Sequence, residues 1–412
     1  MPSLSIAVVG AGVFGVTAAL ALRQRGYRVT LFDPGPLPQP LAASTDISKA
    51  VRLDYGPDED YTALMETALE GWRRWNRDWT EQLFHEVGVL FLTPLPMQAG
   101  GLEYESYQLL LKRGHPPQRI EAEAIRARFP AWQASGFAHG YYNPLGGYAE
   151  SGRVVAQFLR LAEASGVQLR VGQVFARLHE QGSRVAGLVT ADGEVFPADR
   201  VLLATGAWTH HLLPSLKGRL RSNGMPVWHL RPERPELFAA KRFPVFSADV
   251  SATGYYGFPI NRDGVVKIAH HGPGRELHPE APERQVTPDE TARLRAFIAR
   301  ALPDLANAPI VYTRLCLYSD TWDGHFWIAP DPEREGLIVA AGDSGHGFKF
   351  APVLGGLIAD AVDGALNPLL GKFRWRPELR PARSEEATRQ KVQIFPSARC
   401  ASVDKHPRRS NY

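Results

Sequence analysis

The chain has 412 residues, 44% hydrophobic and 22% charged, which is enough for two domains with full cores and excludes a disordered protein. Two cysteines, Cys316 and Cys400, exclude a disulfide framework and point to a reducing compartment, so the chain reads as cytoplasmic. The net charge of +4 arises at the end of the chain: residues 372–412 hold eleven Lys/Arg against four Asp/Glu, the rest sums to −3, and no basic stripe is left to meet nucleic acid.

In chain order, an apolar run (Ile6 to Val9) meets Gly10-x-Gly12-x-x-Gly15. A helical stretch, Thr17 to Arg25, and a second strand, Arg28 to Asp33, follow. This is the layout of a dinucleotide-binding βαβ unit. Gly10 permits the tight turn, Gly12 lets backbone approach a pyrophosphate, and Gly15 lets helix and strand pack closely. Asp33 stands where a carboxylate can accept hydrogen bonds from a ribose. Residues 5 to 22 are apolar enough to suggest a signal or membrane segment, but glycines interrupt them and no basic stretch precedes them, so no membrane role is expected.

After Asp33 no third strand follows. A polar loop, Ala43 to Arg52, leads instead to a helix on which Tyr61, Leu64, Met65, Ala68, Leu69, Trp72 and Trp75 recur at helical spacing. Residues 87 to 142 mix a strand (Val87 to Leu92) with short helices. A helix over 151–164 precedes short alternating strands through Ala204, then a second glycine turn, Thr205-Gly-Ala-Trp208. Strands dominate 222–310, with one helix near 288–301. Leu337 to Ala341 reads as a buried strand, followed by Gly342-Asp-Ser-Gly-His-Gly-Phe-Lys-Phe350 and a small-residue helix over 352–364. The pattern implies a nucleotide domain assembled from 1–86, 143–221 and 311–376, with 87–142 and 222–310 forming a second domain. Residues 377–412 read as a solvated, mobile tail.

Several residues carry potential chemistry. Cys316 lies in an alternating segment, where the ordinary role is a buried small hydrophobe and the reactive one a thiolate favoured by basic neighbours. Alternation over Val265 to His271 places Lys267, Ala269 and His271 on one face and His270 on the other. An adjacent His-His pair on a strand is a poor chelate, and no metal site is expected. Lys49 and Arg52, if locally helical, share a face and clamp a carboxylate; solvated surface is the plainer reading of such a pair. Lys349 sits beside a helix N-terminus, a ready anion site. Gly342-Asp-Ser-Gly345 matches the tetrapeptide around a serine-protease nucleophile, but no partner motif accompanies it.

These residues together resemble the FAD-dependent amine oxidases of the monomeric sarcosine oxidase and fructosyl-amino-acid oxidase group, within the D-amino-acid-oxidase-like superfamily. The carriers are Gly10 to Gly15 with Asp33, Ser44 to Arg52 with Tyr55-Gly56, Ala204 to Trp208, Tyr256 to Pro259, Lys267 with His271, Cys316 with Tyr318, and Ser344 to Phe350. The resemblance spans about residues 4 to 376. It implies an α/β fold: a Rossmann-like FAD-binding domain built from discontinuous segments, with an α+β substrate domain on a mixed or antiparallel sheet.

The resemblance also implies roles. Gly10, Gly12, Val13, Phe14, Gly15, Asp33, Ser44, Lys49, Val174, Gly345, Gly347, Phe348 and Lys349 hold FAD, and Cys316 links covalently to it. Lys267, with Lys49 and His271, serves catalysis, its cation stabilising charge that develops as O2 is reduced. Arg52, Tyr256, Tyr318 and Lys349 bind the substrate. The implied reaction oxidises the C–N bond of a secondary amino acid to an imine and reduces O2 to H2O2, in a monomer. One departure stands out: Thr45-Asp46-Ile47-Ser48-Lys49 occupies the place of the sarcosine oxidases' His-Gly-Asp-x-Arg run. The Asp-x-x-Lys pattern is closer to fructosyl-amino-acid and saccharopine-type oxidases. A flavin dehydrogenase of D-amino or hydroxy acids, a nicotinamide enzyme and a binding protein remain open on the sequence.

Overall fold

The computed structural model describes residues 3–132 and 136–376, so the basic tail expected over 377–412 lies outside the described residues. Its organising element is a six-stranded sheet in the order Trp327–Pro330, Leu337–Ala341, Arg200–Leu203, Ser5–Val9, Arg28–Asp33, Gln168–Val171. All neighbours run parallel except the first pair. The strand missing after Asp33 is thus supplied from more than a hundred residues downstream.

Period-two alternation explains why both faces are covered. Ile6 and Val8 pack in one core with helices Val13–Gln24, Ser151–Ala164 and Ala351–Asp363. Ala7 and Val9 face the other way, into a core shared with Phe175, Val185 and Leu188 of a three-stranded antiparallel sheet. A Cβ at Gly355 would lie 2.3 Å from the carbonyl oxygen of Thr17, so only glycine lets helices Ala351–Asp363 and Val13–Gln24 approach this closely.

A larger, mostly antiparallel sheet of nine strands holds Val89–Thr93, Val245–Ala248, Tyr255–Phe258, Val266–His270 and Leu220–Leu230. One of its faces (Leu90, Leu92, Val266, Ile268) packs against helix Pro288–Ala301, whose start is fixed by a capping box between Thr287 and Glu290. The opposite face (Val89, Phe91, Tyr256, Phe258) turns toward the Rossmann-like layer. Strand Ile310–Thr321 pairs with Leu220–Leu230 along its whole length. Backbone hydrogen bonding thus joins 310–321 to the larger sheet, across the 310–311 position expected to divide the two domains. Among the described residues, no helix is long and apolar enough to cross a membrane.

Candidate active site

At the ends of the parallel strands lies a cavity of about 1200 Å³, lined by Gly10, Gly12, Asp33, Ser44, Val174 and Gly342 among others. Its floor is backbone. Gly10 has φ +100°, and a Cβ there would meet the Ala204 carbonyl oxygen at 2.5 Å; one at Gly15 would lie 1.8 Å from the Gly10 oxygen. A Cβ at Gly12 would meet only the Ser44 hydroxyl, at 3.2 Å, so this residue offers bare backbone to a ligand. The Asp33 carboxylate accepts from the amides of Ala11 (2.9 Å) and Gly35 (2.8 Å), and burial raises it above the usual carboxylate range. Ser44 Oγ accepts from the Val13 amide at the first turn of the helix (2.9 Å). Val174 forms a half-exposed rim. Amides, an acid and a glycine cradle at a helix N-terminus fit the diphosphate and ribose of a dinucleotide.

A second cavity, about 770 Å³, lies between the two sheets. Val89, Phe91, Val245 and Phe258 form an apolar wall, and Tyr256, His271 and Tyr318 an aromatic one. The Tyr256 and Tyr318 hydroxyls are 3.3 Å apart. Lys49, Arg52 and Lys349 bring three basic side chains, and no carboxylate stands among the lining residues. Lys349 Nζ donates to Tyr55 Oη (3.1 Å) and to the His346 carbonyl (3.0 Å), while Arg52 lies over the Tyr55 ring at 5.0 Å. Burial, reinforced by Arg52, holds Lys349 well below the usual lysine range. Arg52 Nη1 and Ser247 Oγ are buried without a hydrogen-bond partner. An anion placed here relieves the repulsion and satisfies Arg52.

The two cavities abut along two segments. Leu317 and Asp343 line the first, and Tyr318 and Gly345 line the second. The glycines make this junction possible. A Cβ at Gly345 would press on the Tyr318 ring at 2.2 Å, and one at Gly347 on the Phe14 ring at 2.7 Å. Beside the junction Lys49 Nζ lies 3.8 Å from Cys316 Sγ, which is buried. Burial alone would lower Lys49; Cys316 and Asp46 outweigh it and hold the ammonium above its ordinary range.

Most residues singled out in the sequence converge here, with two differences. Lys49 is on strand Lys49–Val51, paired with Gly147–Ala149, so the helical face imagined for Lys49 and Arg52 does not exist. Both reach the second cavity, Lys49 from the strand toward Cys316 and Arg52 from the position just after it toward Tyr55. Alternation did place its neighbours: His271 lines the cavity, whereas His270 packs on Tyr255 at 5.1 Å on the far face. Lys267 is buried near the cavity rather than among its lining, with its ammonium 2.7 Å from Asp46 Oδ2 and 4.7 Å from the Phe258 ring centre. Asp46, His229, Tyr55 and Ser247 were not expected as site residues. Asp46 and Tyr55 left signals, in the Asp-x-x-Lys spacing and in the Tyr55-Gly56 pair that carries part of the resemblance, whereas His229 and Ser247 left none.

Residues 5–361 match the family model described as FAD dependent oxidoreductase (DAO). The L-saccharopine oxidase of Schizosaccharomyces pombe is 28% identical, covering 91% of this chain and 94% of that protein. A monomeric sarcosine oxidase from a Bacillus species is 26% identical over 86% of this chain and 90% of its own length. Among solved structures, the fructosyl amine:oxygen oxidoreductase Amadoriase I of Aspergillus fumigatus superposes with a TM-score of 0.79 at 28% identity, covering 92% and 90% of the two chains.

Proposed function

The chain belongs to the DAO family of FAD dependent oxidoreductases, and on that premise we propose that it is an oxidase of secondary amino acids. The C–N bond of an N-alkylated, cyclic or N-glycated amino acid is oxidised to an imine, and O2 is reduced to H2O2. The observation that carries this reading is the junction itself. A cavity with a backbone floor meets, through Leu317–Tyr318 and Asp343–Gly345, an aromatic chamber holding three basic side chains. The relatives named above, acting on sarcosine, saccharopine and fructosyl amines, support the same substrate chemistry.

Gly10, Gly12, Gly15, Asp33, Ser44, Val13, Phe14 and Val174 would hold the ADP half of FAD. Lys49, Gly345, Gly347, Phe348 and Cys316 would surround the flavin, with Cys316 as the covalent anchor. When bound, FAD supplies the two-electron chemistry toward the substrate and toward O2. The protein's part is orientation and charge. Arg52 and Lys349 bind the substrate carboxylate, and the Tyr256–Tyr318–His271 wall confines the amine. The apolar strand faces exclude water from an imine-forming site. Lys267 holds a cation where negative charge develops during O2 reduction. The protein acts as a cytoplasmic monomer, with the nucleotide layer and the substrate layer as its two domains.

The test is anaerobic bleaching of the yellow chain against sarcosine, other N-methyl amino acids, pipecolate, proline, saccharopine, fructosyl-lysine and D-amino acids, followed by peroxide release in air. Bleaching by a secondary amine with peroxide formed is the expected result. Bleaching without peroxide points to a dehydrogenase, and bleaching by none of the secondary amines overturns the substrate class. Acid precipitation addresses the anchor separately: colour should stay with the wild-type polypeptide and leave with Cys316→Ser.

A further inference from the structure

Asp46 is among the most enclosed charges in the molecule, with its side chain 2% exposed. Its backbone is pinned from outside the site, since the Asp46 carbonyl accepts from the Gly152 amide and the Ser151 hydroxyl, both at 2.9 Å. Its carboxylate reaches into the larger sheet. Oδ2 lies 2.7 Å from Lys267 Nζ, and Oδ1 meets His229 Nε2 at 3.2 Å and accepts from the Ile47 amide at 2.7 Å. His229 and Lys267 are direct partners in the antiparallel register of Leu220–Leu230 and Val266–His270, which puts both side chains on one face, under a single carboxylate. Lys267 Nζ also donates to the Ser48 carbonyl.

The charges around the Asp46–Lys267 pair are lopsided. Lys49 comes from the loop strand, Arg314 and Cys316 from Ile310–Thr321, Tyr256 from Tyr255–Phe258 and His229 from the paired strand. Asp46 is the carboxylate facing them. Burial pushes the Lys267 ammonium down to about 8, with Lys49 adding to that and Asp46 opposing it. Burial would also raise Asp46, but Lys267, His229, Lys49 and Arg314 outweigh it and keep the carboxyl well below its usual range. Without this anion, a buried ammonium beside the Lys49 cation loses its proton more readily.

We propose that Asp46, oriented by His229, is a positioning residue that fixes the Lys267 ammonium in place and keeps it charged during the reduction of oxygen. The proposal rests on the oxidase reading and on the role given there to Lys267. It also gives a physical reason for the Asp46-x-x-Lys49 spacing: one residue anchors the deep cation, and the other places a second cation beside Cys316.

The experiment compares Asp46→Asn, Asp46→Glu and His229→Phe with wild type as full-length flavin-loaded proteins. The readouts are the pH dependence of reoxidation by O2 and the midpoint potential of the bound flavin. In Asp46→Asn the descending alkaline limb should move by about one pH unit or more to lower pH. Below the shifted limb, where Lys267 keeps its proton, the potential should rise, because removing the carboxylate leaves the site more positive, and that rise should vanish above the limb as the ammonium is lost. Anaerobic reduction by substrate below the limb should change far less. Asp46→Glu should restore most of both shifts, and His229→Phe should move them in the same direction by less. If Asp46→Asn binds flavin with limb and potential unmoved, the proposal is overturned, whatever the loss of overall rate. If Asp46→Asn does not fold, unmoved values in His229→Phe overturn it instead. A wild type that is not reoxidised by O2 defeats the oxidase reading itself, and the potentials then still decide whether Asp46 governs the charge on Lys267.

Discussion

The two cavities are built on opposite principles. The nucleotide cavity is made by backbone: glycines at forbidden approaches, amides at a helix start, and an acid held by two amides two and twenty-two residues away in sequence. The chamber proposed for substrate is made by side chains from five separated stretches, around residues 49–55, 89–102, 245–271, 316–318 and 345–349, and its chemistry comes from buried basic groups. The contrast teaches where each kind of specificity resides. A backbone cradle accepts any molecule carrying the same diphosphate, whereas a set of converging charges selects one substrate class.

The sharpest way to break the contrast is to give the cradle a side chain. Gly10→Val should abolish flavin retention and cost about 4 kcal/mol or more of stability, since a positive-φ strain and a clash with the Ala204 carbonyl coincide. Absorbance of the purified protein and its thermal midpoint measure both. On the chamber side, Lys267→Met should slow reoxidation by O2 about 10²- to 10³-fold, as for loss of one pre-placed charge partner, and leave anaerobic reduction nearly intact. Stopped-flow on each half-reaction separates the two, and equal losses would remove the assigned role.

Arg52→Ala should raise KM about 10²-fold with a smaller change in kcat, because a carboxylate loses its charged partner in ground and transition state alike. The same pocket predicts a proton effect. Lys349 is held well below its ordinary range in the free chamber by burial and by Arg52, and a bound carboxylate favours its charged form. Substrate binding should therefore take up a proton, and affinity should fall as pH rises through the Lys349 transition; an indicator dye in weakly buffered solution reads the uptake.

The smallest expected effect is at Glu103, a buried carboxyl near Arg52 and Asp249 that burial raises to about 7. An acid raised on folding stabilises the fold below its unfolded value and loses that contribution as pH rises through the folded one. Glu103→Gln should thus add about 1–3 kcal/mol at pH near 8 and little at pH near 5, visible in paired thermal melts.

Individual residues show what was legible in the chain. Ser5–Val9, Val13–Gln24 and Arg28–Asp33 could be read directly because their reasons are local: period-two burial, helical spacing and a turn that needs glycine. Lys267 and His271 could be placed on one face for the same reason, whereas the joint position of Lys49 and Arg52 was misread, because nothing near them reveals a strand that exists only by pairing with Gly147–Ala149. His229 was invisible: its meaning depends on a register with Lys267 and on an acid almost two hundred residues earlier.

By itself, the sequence determined the layout of the dinucleotide unit, the main helices and several of the strands, and the residue types available for chemistry, since hydrophobic periodicity and glycine geometry act over a few residues. Tertiary structure alone decided which strand completes the sheet beside Asp33, that Ile310–Thr321 joins the larger sheet, and that Asp46 meets Lys267. Those outcomes depend on pairing and burial between segments far apart in the chain, and a buried charge finds its partner only after the chain has closed around both.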